Sequence, residues 1–189
     1  VLDGVRINTY ACSNELYEYY TGTGIGRIRN TLMGIGVICH EFSHCLGLPD
    51  FYDTGASKNY GTGDWDIMAS GSYNGPLGIG WVPPAYTSYE KNFAGWLDYT
   101  VLGNEPQNVT GMKPLLEGGE AYAIYNPRNH DEYYLLENKG RSKWDSYLPK
   151  NGLLVLHVDY DAKLWAYNIV NNTEQKQYNT HQRLTIVPA

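Results

Sequence analysis

The stretch from Met33 to Leu46 is periodic enough to require a helix, and Gly47 and Pro49 directly behind it forbid the helix from continuing. Its apolar side chains fall at Ile35, Cys39, Phe42 and Leu46, close to one helical face, which predicts a buried helix of about three turns. Inside it begins HEFSHCLGLPD, residues 40–50. Positions i and i+4 stand one above the other on a helix, so His40 and His44 present both imidazoles to one point. Glu41 is rotated around the axis and can reach a water at that point without joining the ligands. Gly47 lets the chain leave through a left-handed turn, and Asp50, three residues on, can swing back as a third ligand.

Three protein ligands leave the fourth position of a zinc ion to water, which separates a catalytic site from a closed structural one. Zinc lowers the pKa of that water to about 7 and polarises a scissile carbonyl, while Glu41 takes the proton as general base and later passes it to the leaving amine. His-Glu-x-x-His alone arises by chance in roughly one of a few hundred chains, and the added Gly and Asp at fixed offsets make coincidence much rarer. A core helix with merely structural histidines would also have to bury Glu41 without a partner, at a cost.

Elsewhere the chain divides by character. Residues 5–11, VRINTYA, read as a strand, and the Gly-rich TGTGIGRIRN, 21–30, reads as a loop whose glycines lack the spacing of a nucleotide fingerprint. From Pro49 to Pro84 the sequence is dense in Gly, Asp, Ser, Asn and Pro, and loops of that length carry function or lack order. Residues 86–97, YTSYEKNFAGWL, predict a second helix packing Tyr89, Phe93 and Trp96 or Leu97. After it come strand-like runs, AYAIYN, EYYLLENK, GLLVLHVDY and RLTIVP, separated by turns. The expected fold class is α+β, with a catalytic segment over 1–98 and a β-rich module over 99–189.

A chain of 189 residues can bury a core without disulfides. Its 14 basic against 20 acidic residues give a net charge of -6 with no basic cluster, which argues against nucleic acid as a partner. The apolar runs GIGVIC and GLLVLHV are far shorter than the ~20 residues a bilayer span needs. Eighteen tyrosines with only 18% charged residues suit an extracellular protein. Residue 1 is Val, without a signal sequence, so the chain reads as a piece of a longer one. Of three cysteines, Cys39 and Cys45 point in different directions on one helix, so any bridge would join Cys12 to one of them; three buried thiols are the alternative.

HEFSHCLGLPDFYD followed by GDWDIMASGSYNG resembles the immune inhibitor A family of secreted bacterial metallopeptidases, relatives of the metzincins with Asp as third ligand. The likeness runs on through YEKNFAGWL and NGLLVLHVDYD. It implies that His40, His44 and Asp50 bind zinc, that Glu41 is the general base, and that Met68 is the methionine of a Met-turn beneath the metal. It also implies a secreted zinc endopeptidase acting on protein or peptide, built as the back part of a metzincin-like domain followed by a sandwich-like module, with the preceding strands upstream of Val1. Where some metzincins carry a tyrosine two residues after the methionine, this chain has Ser70, and Tyr73 is the nearest candidate to stabilise the oxyanion. The rival readings are a binding or adhesion module that keeps the zinc helix as a relic, against which the intact Glu41 argues, and a zinc hydrolase of non-peptide substrates.

The loop carboxylates Asp53, Asp64 and Asp66 suit calcium by residue type, although their spacing is not that of an EF-hand and turn capping is the commoner task. His130, His157 and His181 have no partner at ligand spacing and read as structural or solvent-exposed. Asn108 and Asn171 have the form of glycosylation acceptors. Trp144, Trp165 and nearby tyrosines could offer a sugar-binding face, but such aromatics more often fill cores.

Overall fold

The computed structural model describes residues 12–20, 28–103, 105–174 and 176–188. A hairpin of β1 (Leu16–Tyr20) and β2 (Ile28–Leu32) leads into helix α1 (Gly36–Cys45). A long layer of loops and short 3-10 turns follows, up to α2 (Ser88–Phe93). The remainder is one five-stranded sheet in the order β3 (Thr100–Val101), β4 (Tyr122–Asn126), β5 (Asn129–Lys139), β6 (Gly152–Asp159), β7 (Leu184–Ile186), with α3 (Ala162–Ala166) between the last two strands. Only the β3–β4 pair is parallel. The four strand-like runs of the sequence thus become β4 to β7, each within a few residues of its expected place.

Period-two alternation explains how the sheet is used. Leu154, Leu156 and Val158 of β6 are buried, as are Leu135, Glu137 and Lys139 of β5. These residues pack against the loop layer: Leu48, Phe51, Ile67, Met68 and Tyr89 share one core with Ala123, Leu135, Leu156, Val158, Trp165, Val170 and Leu184. The boundary expected near Tyr99 therefore marks a change of sequence character, while a single core spans it. Burying each of these large apolar side chains contributes roughly 1.5–3 kcal/mol.

Several expectations are corrected. The predicted strand at 5–11 and the loop residues 21–27 lie outside the described residues, but residues 28–30 of the expected loop belong to strand β2. Helix α1 turns a different face inward. Its buried residues are Gly36, His40 and Ser43, while Ile35, Phe42 and Leu46 are exposed and Cys39 is half-buried. Backbone proximity decides this orientation. Gly36 donates its N–H to the Gly80 carbonyl at 2.9 Å, and a Cβ at Gly36 would sit 1.8 Å from the Ser72 carbonyl oxygen. Only a glycine face can come that close, so the polar ligand face docks onto the loop layer and the apolar stripe is left outward. Helix α2 is shorter than expected, because a capping box between Thr87 and Glu90 starts it and Gly95, at φ 75°, ends it. Tyr89 is buried as expected, but Phe93 and Trp96 are exposed. All three cysteines are free thiols, with Cys12 and Cys45 exposed, so neither a bridge nor a buried trio forms.

Candidate metal centre

His40 and His44 point from one side of α1 to Asp50, which Gly47 brings back through a left-handed turn at φ 98°. One ligand atom from each of the three lies within 4.8 Å of the others. The tautomers follow from the hydrogen bonds. His40 Nδ1 donates to the Ile67 carbonyl at 2.7 Å and His44 Nδ1 to the Leu48 carbonyl at 2.8 Å. Each ring therefore carries its proton on Nδ1 when neutral, which leaves a lone pair on Nε2. Both Nε2 atoms face Asp50 Oδ1, at 3.0 and 3.4 Å, and that buried oxygen has no other partner. Two nitrogen lone pairs aimed at a carboxylate oxygen repel unless a cation lies between them. The donor set fits a zinc ion, with two imidazoles and one carboxylate held by outer hydrogen bonds.

Burial alone would raise the Asp50 carboxyl, but His40 and His44, whenever Nε2 carries a proton in place of a metal, and Asn168 donate to it and hold the group well below the usual range. Asn168 is the contact that sequence reasoning missed. Its Nδ2 donates to Asp50 Oδ2 at 2.7 Å and its Oδ1 accepts the Asp50 backbone N–H at 2.6 Å. Oδ2 is thereby occupied and Oδ1 is the oxygen left for a metal. Asn168 adopts φ 56°, a left-handed conformation that asparagine tolerates better than most side chains. The same segment grips the loop after Asp50, since Asn171 Nδ2 donates to the Phe51 carbonyl at 2.9 Å. Asn171 is fully buried in that role, so its side chain is no glycosylation acceptor in this fold.

A cavity of about 300 Å³ opens beside the ligands, lined by Val37, His40, Glu41, Tyr52, Ala69, Ser70, Ser72 and Tyr73. Glu41 thus faces the same space as His40, as the helix geometry predicts. Tyr52 stacks on His40 with ring centroids 6.4 Å apart, and burial followed by the Asp50 charge pushes its hydroxyl up to about 12. Its place two residues after Asp50 was the signal in the sequence that could have found it. Tyr73 is more than half exposed at the cavity rim. Met68 is fully buried, and its carbonyl accepts the Phe51 N–H at 2.8 Å.

Asp53, Asp64 and Asp66, which suit calcium by residue type, are not brought together as a ligand group among the described residues. Among the described residues, only His40, His44 and Asp50 bring three such ligand atoms together. Asp53 spends its carboxylate on the backbone N–H groups of Gly55, Ala56 and Lys58, Asp64 is exposed, and Asp66 is fully buried with Oδ1 on the Met68 N–H at 2.7 Å. Trp165 lies in the core against Tyr89 and Tyr160, which removes it from any sugar-binding face. His157 and His181 pair with Glu132 and Asp159 instead of with a metal group.

A helix-borne histidine pair completed by an aspartate beyond a glycine turn, with a glutamate facing the same cavity, is an arrangement that could hold a metal ion beside an open space. Residues 16–98 match the family described as Immune inhibitor A peptidase M6, catalytic domain. It is 38% identical over 97 residues to the pre-pro-metalloprotease PrtV of Vibrio cholerae serotype O1, which covers 49% of this chain and 10% of that protein. It is 36% identical over 95 residues to Immune inhibitor A of Bacillus thuringiensis subsp. alesti, covering 48% of this chain and 13% of that protein. The chain thus spans about a tenth of the length of these relatives. No solved structure matches it. None of the described helices is long and apolar enough to cross a membrane.

Proposed function

We propose that this chain carries the catalytic centre of a secreted zinc endopeptidase of metzincin-like construction. The observation that carries the reading is the pair of imidazole Nε2 atoms converging on Asp50 Oδ1, with Glu41 on the adjoining cavity wall. Bound by His40, His44 and Asp50, zinc would supply a Lewis acid that acidifies water and polarises a peptide carbonyl. Glu41 accepts the proton of the attacking water and returns it to the leaving amine. Met68 and the Ile67 carbonyl hold the ligand side from beneath, in the manner of a Met-turn. Tyr73 donates to the developing oxyanion, while Tyr52 stays beside Asp50. The match to a peptidase family model and the relative named a pre-pro-metalloprotease support a protein substrate.

The test is hydrolysis of a mixed set of internally quenched peptides by the mature, zinc-loaded protein and by its Glu41→Ala variant. Cleavage by the wild type that disappears in a variant still holding one zinc supports the reading. A propeptide-free, zinc-loaded wild type that cuts nothing contradicts it.

A further inference from the structure

Directly behind the metal centre the core contains charge. Asp66, Glu90, Glu137, Lys139 and Asp145 are all essentially without solvent exposure. Glu137 Oε1 pairs with Lys139 Nζ at 3.2 Å and its Oε2 accepts the Ser88 N–H. Asp145 Oδ1 accepts the Ala85 N–H at 3.0 Å, while its Oδ2 is buried without a donor. Asp66 and Glu90 remain. Glu90 Oε2 is occupied by the Thr87 N–H and hydroxyl, at 2.6 and 3.0 Å, and Asp66 Oδ1 by the Met68 N–H. The other oxygen of each, Glu90 Oε1 and Asp66 Oδ2, is fully buried and has no donor, and the two carboxyls are neighbours close enough to act on each other's ionisation. Two such buried carboxylates cannot both be ionised, because each would be desolvated beside a like charge.

We propose that Glu90 and Asp66 share one proton, held on Glu90 Oε1 and donated to Asp66 Oδ2, and that this acid pair is the anchor that positions the metal-orienting turn. The turn transmits the anchor residue by residue. Asp66 fixes the Met68 N–H, Ile67 offers its carbonyl to His40 Nδ1 at 2.7 Å, and the Met68 carbonyl holds the Phe51 N–H next to Asp50. Asp66 and Glu90 touch no reacting atom and are positioning residues. The positioning half of the inference rests on the zinc reading, whereas the shared proton does not.

Burial, then the charge of its neighbour Asp66, raises the Glu90 carboxyl well above the usual range, and burial raises Asp66 to about 6. Lys91, Glu137, Lys139, Tyr86 and Tyr89 also face the pair. Lys139 alone is an ammonium fully buried with it. A carboxyl whose folded value is raised gives stability that is complete below its ordinary value and is lost as pH rises through the raised one. The pair therefore costs the fold stability progressively as pH rises from the ordinary carboxyl range through the raised value of Glu90.

Glu90→Gln keeps the geometry, since an amide can donate permanently to Asp66 while its oxygen accepts from Thr87. In the intact zinc-loaded protein at neutral pH, infrared spectra should show the carbonyl band of a protonated carboxyl that Glu90→Gln lacks. The thermal midpoint should fall from pH 6 to 9 in the wild type more than in the variant. Glu90→Leu, which can neither donate nor accept, should release zinc to a chelator at least tenfold more readily than Glu90→Gln. Should Glu90→Gln fail to fold, Asp66→Asn carries the same spectral and pH expectations, with its amide donating to Glu90. No protonated-carboxyl band, with superimposable pH profiles, overturns the shared proton. Equal zinc retention in Glu90→Leu and Glu90→Gln overturns the positioning role. A wild type that binds no zinc at all counts against the proposed function and leaves the spectral test of the proton standing.

Discussion

On one side of the Asp66–Met68 turn, His40, His44 and Asp50 meet at the wall of an open cavity; on the other, Asp66, Glu90, Glu137 and Lys139 lie where no water reaches. Both clusters place more acceptors together than their own hydrogens can satisfy. The open one can leave its lone pairs converging, because a cation from solution can enter. The sealed one must limit its own charge, with a lysine on Glu137 and a proton that leaves a single negative charge between Glu90 and Asp66. The same residue types thus serve metal binding or anchoring according to access to solvent.

Breaking the open cluster should have the largest effect. His44→Ala is expected to abolish stoichiometric zinc and all peptide cleavage, read by metal analysis and peptide assay. Glu41→Gln should retain zinc and lose about 10²–10⁴-fold in kcat/KM, the usual contribution of a general base. In the sealed cluster, Lys139→Met leaves Glu137 buried and unpaired and should cost about 3–5 kcal/mol in denaturant unfolding. Asn168→Gly accepts the left-handed backbone yet removes both hydrogen bonds to Asp50, and chelator competition should show zinc held ~10–100-fold less tightly. The smallest effect is on pH. Asp50 is held below its usual range, so in metal-stripped protein its contribution is present above ordinary carboxyl values and lost as pH falls. The acid pair works in the opposite sense, so Asp50→Asn should flatten the acid limb of the thermal midpoint curve and leave the alkaline limb.

The open cluster was legible in the sequence because its ligands are local. His40, Glu41, His44, Gly47 and Asp50 fall within eleven residues, and helix geometry converts their spacing into convergence. Strands β4 to β7 were legible for the same reason, from alternation. Asn168 was not, because 118 residues separate it from Asp50 and no short pattern links them. The sealed cluster was hidden differently. Glu137 and Lys139 continue the inward alternation of Leu135, but charges on such positions ordinarily argue for the outer face. The buried face of α1 was misjudged because hydrophobic periodicity pointed to Ile35 and Phe42, whereas the close approach allowed by Gly36 decided the packing.

The most direct test of the central claim is zinc K-edge X-ray absorption on the loaded protein. The account predicts a first shell of nitrogen and oxygen only, at about 2.0–2.2 Å, with scattering from two imidazoles. Sulfur near ~2.3 Å, from Cys39 or Cys45, or a shell with no imidazole, would contradict it.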